Sequence, residues 1–254
     1  LVRKGVVGFL QELCAIAGLK EVSLTTNGVR LAALAEKLRQ AGVDRLNVSI
    51  DSLQPAVYAQ ITRGGDLEDV TAGLAAAERA GMKLKLNMVV MRGVNDNEVE
   101  DFAALSLERP WSVRFIEYMP TIREKAWRMR VMSGSEILGR LRQKYALTAL
   151  ETGRMCGPAR PFRIDGAAGT IGIITPMSDH FCGSCNRIRV TSTGQAKSCL
   201  LSDSTLNLRP FLARGDKALR EALLTVIGSK DERHGLLNDG VAGPAPFPMA
   251  SIGG

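Results

Sequence analysis

The segment RLNVSI at residues 45–50 decides the fold class, because it predicts a short strand enclosed by two helices. Residues 31–41 and 67–80 carry apolar residues at helical spacing, and each of these segments ends at a glycine. Asp51 opens a polar loop directly after the strand. A strand between helices, repeated along a chain, predicts a largely parallel sheet.

The same alternation extends in both directions. Strands are predicted at 21–26, 84–91 and 113–118, and a helix with an acidic first turn at 97–105. We therefore predict an α/β fold of the (β/α) TIM-barrel type. Since only four such strands are visible, the barrel is expected to be incomplete, or its first strands to precede Leu1.

Polar side chains lie near the end of each predicted strand. In (β/α) barrels the binding and catalytic groups collect at the carboxyl ends of the strands, so these side chains predict a shared site. The residues are Thr25, Thr26, Ser49, Asp51, Lys85, Asn87, Arg114, Glu117 and Met119.

Composition narrows the class of partner. The 254-residue chain has a net charge of +7 but only 5% aromatic residues, which favours a phosphorylated small molecule over nucleic acid. No run of about 18 apolar residues suggests a membrane span. Five cysteines without a secretory signal predict reduced thiols and a cytoplasmic protein, in which Cys14 is a core thiol.

The pattern changes after Pro120. The segment Ser133–Glu136 predicts a capping box before a helix that runs to about residue 145, and residues 170–175 predict a strand. A hairpin is predicted from 187–191 and 195–199. We predict a barrel-type domain at 1–120 and a C-terminal α+β domain at 121–254.

Three cysteines are grouped near the C-terminus: Cys182, Cys185 and Cys199. Thiolates at this spacing suit a 4Fe-4S cluster in which one iron has no protein ligand. A Cys3His zinc site that includes His180 is the alternative, and Cys156 is a candidate fourth ligand.

Two arginines follow the cysteine pair at once. Arg187 and Arg189 are two residues apart, which predicts that both project from one strand face as a clamp for phosphate or carboxylate groups. A solvated basic strand face is the simpler interpretation.

Together, these segments resemble the GTP 3′,8-cyclase family of radical S-adenosylmethionine (SAM) enzymes, which act in molybdenum cofactor biosynthesis. The resemblance covers almost the whole chain and is carried by Leu24-Thr25-Thr26-Asn27-Gly28, Asn47-Val48-Ser49-Ile50-Asp51, Lys85-Leu86-Asn87, Arg92-Gly93-Val94-Asn95-Asp96, Arg114-Phe115-Ile116-Glu117-Tyr118-Met119, Phe181-Cys182-Gly183-Ser184-Cys185-Asn186-Arg187-Ile188-Arg189 and Ile252-Gly253-Gly254.

The resemblance implies a role for each site residue. It implies that the C-terminal 4Fe-4S cluster is bound by Cys182, Cys185 and Cys199, and that GTP is bound by Thr25, Lys85, Arg187 and Arg189. It implies that SAM is contacted by Ser49 and Met119, with Asn27, Asn87 and Arg114 as weaker candidates. Gly253 and Gly254 would form a tail that reaches toward the active site.

The chain departs from the family in one respect. The Cys-x3-Cys-x2-Cys motif that binds the family's N-terminal 4Fe-4S cluster does not occur in it, nor does the Gly-Gly-Glu-Pro segment that contacts the methionine moiety. We expect an N-terminally truncated sequence, a second cluster in the intact protein, and no SAM cleavage by the chain as written.

For the intact enzyme, the resemblance implies a radical reaction. An electron donor reduces the first cluster, SAM is cleaved to a 5′-deoxyadenosyl radical, and that radical abstracts the ribose 3′ hydrogen of GTP before attack on guanine C8. A homodimer is a common assembly in this family. Two alternatives remain: another radical SAM enzyme with an auxiliary cluster, and a zinc-stabilised nucleotide-binding module.

Overall fold

The computed structural model describes residues 1–119, 126–151, 157–179, 182–200, 202 and 204–230. The chain divides into two compact units. The first unit comprises Leu1–Tyr118 and Arg130–Ser178, and the second comprises Met119–Met129 and Asp179–Gly254.

A seven-stranded, mainly parallel sheet forms the centre of the first unit. In spatial order its strands are β1, β2, β3, β4, β7, β6 and β5; the first five run parallel, and β6 and β5 pair antiparallel at one edge. The strands are β1 (Ser23–Thr26), β2 (Arg45–Ser49), β3 (Lys83–Val90), β4 (Ser112–Glu117), β5 (Leu147–Ala149), β6 (Arg160–Ile164) and β7 (Thr170–Ile174).

Helices precede and follow the strands along the chain, and those between β1 and β4 connect parallel strands. In chain order they are α1 (Val6–Cys14), α2 (Leu31–Gln40), α3 (Pro55–Thr62), α4 (Leu67–Arg79), α5 (Val99–Glu108), the short α6 (Trp127–Arg130) and α7 (Gly134–Lys144). None of the helices in the described residues is both long and apolar enough to cross a membrane.

The two faces of this sheet differ in chemistry. Successive strand residues point to opposite faces, and the buried set is apolar, as in Leu46 and Val48 of β2 and Leu84, Leu86 and Met88 of β3. These side chains form one core with the buried residues of the helices. The opposite face carries the half-exposed polar residues and is called the polar face below.

The turn after β1 depends on a glycine. Gly28 has φ of +86°, a left-handed conformation that L side chains rarely adopt, and a Cβ there would lie 2.8 Å from Cγ1 of Val70. The predicted Asn27-Gly28 turn is therefore confirmed, and it lets α4 pack closely on the connection between β1 and α2.

The predicted α/β architecture is confirmed, with a sheet that corresponds to a partial (β/α) barrel. The four predicted strands are all present, but α3, β5 and β6 were not predicted from the sequence. The structure groups residues 130–178 with the first unit, whereas the predicted division falls at residue 120. Cys14, expected in the core, is half-buried at the end of α1.

The second unit is small. Its regular elements are β8 (Arg189–Val190), β9 (Gln195–Lys197) and β10 (Leu206–Asn207), which form a three-stranded antiparallel sheet, and the helices α8 (Arg209–Leu212) and α9 (Asp216–Gly228). In the described residues its apolar core contains four buried side chains, those of Ala196, Leu208, Ala222 and Val226.

Candidate functional site

Strand register aligns several predicted site residues in rows across the polar face. Thr25 pairs with Asn47, and Asn47 pairs with Lys85, so these three side chains start from neighbouring positions on β1, β2 and β3. Adjacent strands lie about 4.8 Å apart. The two residues predicted to bind GTP in this half of the chain, Thr25 and Lys85, are therefore separated by one intervening strand.

A second row lies two residues closer to the carboxyl ends of the strands. Ser49 pairs with Asn87, Asn87 with Arg114, and Arg114 with Gly172 of β7. The three polar residues of this row are half-buried. Ser49, predicted to contact SAM, is thus next to Asn87 and in the same row as Arg114, the two weaker candidates that lie in strands.

Asn87 has an unsatisfied acceptor. Its Oδ1 is buried and has no hydrogen-bond partner within the described part of the chain. Buried polar atoms are nearly always paired, and an unpaired one costs about 1–3 kcal/mol. An unpaired amide oxygen in a row of polar side chains is typical of a ligand-binding site.

Gly172 provides room for Arg114. A Cβ at residue 172 would lie 3.1 Å from Cγ of Arg114 and 3.2 Å from Cβ of Ala159, which is tighter than ordinary van der Waals contact. The glycine therefore lets the Arg114 side chain extend over β7. Sequence reasoning missed this residue, since its effect is visible only through the register of β4 and β7.

A buried polar network fixes the loop that follows β2. The Asn95 amide donates to the backbone oxygens of Asp51 (2.7 Å) and Val89 (3.0 Å), while its Oδ1 accepts from Met91 N–H. Val89 N–H in turn donates to Oδ1 of Asp51 at 2.8 Å. Burial raises the pKa of the Asp51 carboxyl, and this hydrogen bond partly opposes the rise.

Glu98 also belongs to the polar network that fixes the loop after β2. Its carboxylate accepts from Ser52 Oγ at 2.7 Å and from Leu53 N–H at 2.6 Å, and its residue is only 1% exposed. Because both partners are more than 40 residues away in sequence, no local pattern could have predicted it. Asn95 and Glu98 act through the backbone that carries Ser49 and Asp51.

Glu117 ties the end of β4 to two other segments. Its buried carboxylate accepts hydrogen bonds from the N–H groups of Gly134 (2.6 Å), Met177 (2.9 Å) and Ser178 (2.9 Å), and from the Ser178 hydroxyl. Four donors satisfy both carboxylate oxygens. The sequence marked Glu117 as a site candidate, but in the described residues its partners give it a structural role.

Two of the remaining SAM candidates lie outside the strands. Asn27 is exposed in the turn after β1. Met119 is half-buried and falls in the second unit, so the structure describes it apart from Ser49. The assignment of Met119 to the SAM pocket stays a prediction.

The cysteine motif begins with a short 3-10 turn. This turn spans Cys182–Ser184, and the N–H of Cys185 donates to the Cys182 oxygen at 3.1 Å. Cys199 follows β9 by two residues. All three cysteines are half-buried, and none of them is in a disulfide.

The predicted hairpin is present but shorter than expected. Arg189 pairs with Lys197 and Val190 with Ala196, so Arg187 lies before the strand, and the prediction that Arg187 and Arg189 share a strand face is wrong. Lys230, after α9, donates through Nζ to the backbone oxygens of Cys185 (2.6 Å) and Arg187 (2.9 Å). These bonds hold the backbone between the cysteine pair and the arginines. Sequence reasoning had not identified Lys230.

Thiols and guanidinium groups influence one another in this loop. Burial raises the pKa of the Cys185 thiol. Hydrogen bonds from Arg187 and the charges of Arg187 and Lys230 lower this pKa by a larger amount together, so the net shift is downward. Burial and the charge of Arg187 lower the pKa of Arg189, while Cys199 and Cys185 oppose that shift.

The donor set fits an iron–sulfur cluster by its chemistry. Three half-buried thiols near cationic side chains are suited to a soft metal as thiolates. Within the described ranges, no three His, Cys, Asp or Glu side chains are grouped closely enough to hold a single metal ion. His180, Cys156, Gly253 and Gly254 lie outside the described residues.

Models of known families match both halves of the chain. The Radical SAM superfamily model matches residues 1–106, and the Molybdenum Cofactor Synthesis C model matches residues 111–236. The fold and these matches define a radical SAM protein, a class that uses SAM and a 4Fe-4S cluster.

Several relatives are similar to the chain over nearly its whole length. A protein named GTP 3′,8-cyclase from Geobacter sulfurreducens is 55% identical over 256 residues, which cover 100% of this chain and 78% of the relative. Proteins of the same name from Alkaliphilus oremlandii (42% identity; 94% and 74% covered) and Moorella thermoacetica (41% identity; 100% and 79% covered) are also similar. The chain therefore belongs to the GTP 3′,8-cyclase family.

Proposed function

We propose that this protein is a GTP 3′,8-cyclase, a radical SAM lyase that converts GTP to (8S)-3′,8-cyclo-7,8-dihydroguanosine 5′-triphosphate in molybdenum cofactor biosynthesis. The observation that carries the proposal is the polar face. An ordinary (β/α) barrel fills its interior with apolar side chains, whereas here two adjacent rows contain Thr25, Lys85, Ser49, Asn87 and Arg114.

GTP binding follows from charge and hydrogen-bonding capacity. Lys85 supplies a cation and Thr25 a hydroxyl to phosphate or ribose oxygens from one row. Arg187 and Arg189 supply two further cations from the second unit. A guanidinium group can donate two parallel hydrogen bonds to the oxygens of one phosphate, which makes arginine suited to binding a triphosphate.

SAM binding is assigned to the row closer to the carboxyl ends. Ser49, Asn87 and Arg114 are adjacent there, and the unpaired oxygen of Asn87 offers an acceptor to the ammonium or hydroxyl groups of the ligand. Asn27 and Met119 are the other candidates for this pocket. What these residues contribute is orientation, since the radical chemistry belongs to the cofactor.

The C-terminal 4Fe-4S cluster is assigned to Cys182, Cys185 and Cys199. When bound by three cysteines, such a cluster offers one iron without a protein ligand, to which the guanine ring can coordinate. Lys230 holds the backbone oxygens of Cys185 and Arg187 and so orients the cysteine loop. The lowered pKa of Cys185 favours its thiolate form, which is the form that binds iron.

The size of the second core also supports a cluster. Among the described residues, the apolar cluster of this unit has four buried side chains, two of them alanines, and these contribute little hydrophobic stabilisation. A bound metal or cluster can contribute folding free energy to a unit with so few clustered apolar side chains. A cluster held by Cys182, Cys185 and Cys199 would supply that stabilisation.

The test is anaerobic iron and sulfide analysis of the reconstituted chain, with EPR spectra of the reduced cluster before and after addition of GTP. We expect about four irons and four sulfides per chain, lost in Cys182→Ser and retained in the control Cys14→Ser, with a spectrum that GTP changes. Cys14 is a fair control because it is also half-buried but lies in α1 of the first unit.

The same measurement separates the alternatives. Zinc in place of iron, with no response to GTP, would support a zinc-stabilised nucleotide-binding module. An iron–sulfur spectrum that GTP leaves unchanged would support a different radical SAM enzyme with an auxiliary cluster. A homodimer and an external electron donor belong to the proposal, and light scattering of the anaerobic protein tests the assembly.

A further inference from the structure

The end of α9 contacts both of the segments that carry the cysteines. Within the helix, Ala222 and Val226 are buried and pack with Ala196 of β9 in the apolar cluster of the second unit. Ser229 and Lys230 directly follow the helix. Because the helix is packed on this cluster, the two residues at its end are held against the cysteine-bearing segments.

The first of these segments is held by Lys230. Its Nζ donates to the backbone oxygen of Cys185 at 2.6 Å and to that of Arg187 at 2.9 Å. These acceptors lie 45 and 43 residues earlier in the chain. Hydrogen bonds from a charged donor are stronger than those from a neutral one. Lys230 is half-buried and therefore fixes the backbone of residues 185–187 from a distant part of the sequence.

The second segment contains Cys199 and has two buried polar residues in front of it. Ser198 is 2% exposed, and its hydroxyl donates to the backbone oxygen of Ser229 at 3.4 Å. Lys197 is fully buried, and its Nζ donates to the backbone oxygen of Leu200 at 3.2 Å, which closes the turn around Cys199. The end of α9 thus contacts the backbone or side chains beside two of the three cysteines.

Lys230 also places a positive charge beside the backbone of one cysteine. An iron–sulfur cluster bound by three thiolates is negatively charged, and reduction adds a further negative charge. The reduction potential of such a cluster depends on the net charge and the hydrogen bonds around it. A cation fixed beside a ligand therefore favours the reduced form. Arg187 and Arg189 are assigned to the phosphates of GTP, whereas Lys230 contacts the cysteine backbone itself.

We propose that Lys230 is a positioning residue for the C-terminal cluster, which fixes the backbone beside Cys185 and makes the bound cluster easier to reduce. The inference rests on the cluster assigned under the proposed function, but not on the identity of the nucleotide. Ser198 acts on the other segment through Ser229, and its hydroxyl carries no charge. Lys230 is thus expected to affect both retention of the cluster and its potential, and Ser198 only retention.

An EPR-monitored redox titration of the anaerobically reconstituted 254-residue chain tests the effect of the charge. Lys230→Met removes the ammonium group, Lys230→Arg keeps the charge, and Lys217→Met, at an exposed lysine in the first turn of α9, is the matched control. At the midpoint potential of the wild type, we expect the ratio of reduced to oxidised cluster to fall about tenfold in Lys230→Met. Lys230→Arg should restore most of this ratio, and Lys217→Met should leave it unchanged.

Release of iron to a chelator tests the positioning. We expect iron to leave about threefold faster in Ser198→Ala, since one hydrogen bond to the end of α9 is lost, while the midpoint potential stays at the wild-type value. Lys230→Met should release iron faster as well. If Lys230→Met retains no cluster, Lys230→Gln, which keeps a hydrogen-bond donor without the charge, takes its place in the redox titration.

The outcomes distinguish this inference from the proposed function. If the uncharged variant at Lys230 has the wild-type potential, or if Lys217→Met shifts the potential equally, the role of Lys230 is refuted. The proposed function then still stands when GTP changes the wild-type spectrum. A potential lowered only by loss of the Lys230 charge, with a wild-type spectrum that GTP leaves unchanged, supports Lys230 and contradicts the cyclase. A wild type that binds no iron refutes both.

Discussion

Individual polar residues on the sheet carry an energetic cost in the ligand-free protein. Asn87 places an unpaired oxygen in a buried position, and Gly172 gives up a side chain beside Arg114. Neither feature stabilises the fold. Both are understandable if the polar face is arranged for a ligand, because residues chosen for binding often reduce stability.

Replacement of Asn87 by leucine tests whether this residue lowers the stability of the protein and at the same time contributes to ligand binding. Asn87→Leu removes the unpaired acceptor and keeps the same branched arrangement of heavy atoms, so we expect the free energy of unfolding without ligand to rise by about 1 kcal/mol. SAM binding should weaken about tenfold, because one hydrogen bond to the ligand is lost. Denaturant titration and calorimetry measure the two effects. A variant that loses stability and keeps full SAM affinity would show that Asn87 is structural.

Replacement of Gly172 by alanine tests the position of Arg114. The new Cβ lies 3.1 Å from Arg114 Cγ, so the arginine must shift, at a cost of about 1–3 kcal/mol. We expect weaker ligand binding with a cooperative unfolding transition retained. Gly139→Ala is the control, since a Cβ there meets nothing within 4 Å and alanine favours the helix by about 1 kcal/mol. Unchanged affinity in Gly172→Ala would exclude the proposed role.

Whole elements differ in how well the sequence predicts them. The strands of the parallel sheet and the helix α7 were found because alternation and capping are local signals. Strand β5 has only three residues, and β6 contains Pro161, a residue that local rules place outside central strands, so neither strand has a clear local signal. The polar rows were predicted as a shared site, but their order across the sheet depends on strand register, which local sequence does not fix.

The capping box of α7 gives a prediction about pH. Ser133 Oγ accepts from Glu136 N–H, Glu136 accepts from Ser133 N–H, and Arg92 pairs with the same carboxylate at 2.6 Å. Hydrogen bonds from Ser133 and Arg92, with the charge of Arg92, lower the pKa of Glu136 to about 2. A lowered pKa in the folded state means that the carboxylate stabilises the protein above pH 4.5 and that this contribution is lost toward pH 2.

Glu136→Gln isolates the charge, because glutamine retains capping geometry. We expect a lower melting temperature than wild type at pH 7, and a difference that shrinks as the pH falls from 4.5 toward 2. Ser133→Ala should cost about 1 kcal/mol at neutral pH, since it removes the cap itself. Thermal unfolding across this pH range measures both. A Glu136→Gln difference that does not depend on pH would contradict the assignment.

At the scale of the whole molecule, two cores of very different size occur in one chain. The first unit has an extensive buried core, whereas the apolar cluster in the described part of the second contains four buried residues. Sequence analysis located the cysteine loop but not this imbalance. Burial of scattered alanines and leucines depends on packing that has no fixed sequence period.

Cluster loading should therefore stabilise the two units unequally. Hydrogen exchange of the anaerobic chain with and without reconstituted iron and sulfide measures this. We expect amides of β8, β9 and α9 to be more protected in the loaded protein, and amides of β2 and β3 to be unchanged. Cys182→Ser should remove the difference. Equal protection of both units by iron would contradict a cluster confined to the cysteine loop.

The small second core also has a consequence for the lifetime of the protein in a cell. If the cluster supplies much of the stability of this unit, then oxygen that destroys the cluster also opens the chain to proteases, because degradation follows the population of open forms. Loss of the cofactor and removal of the polypeptide would then be one event. Cellular levels of the protein would report on exposure to air, without a dedicated sensor.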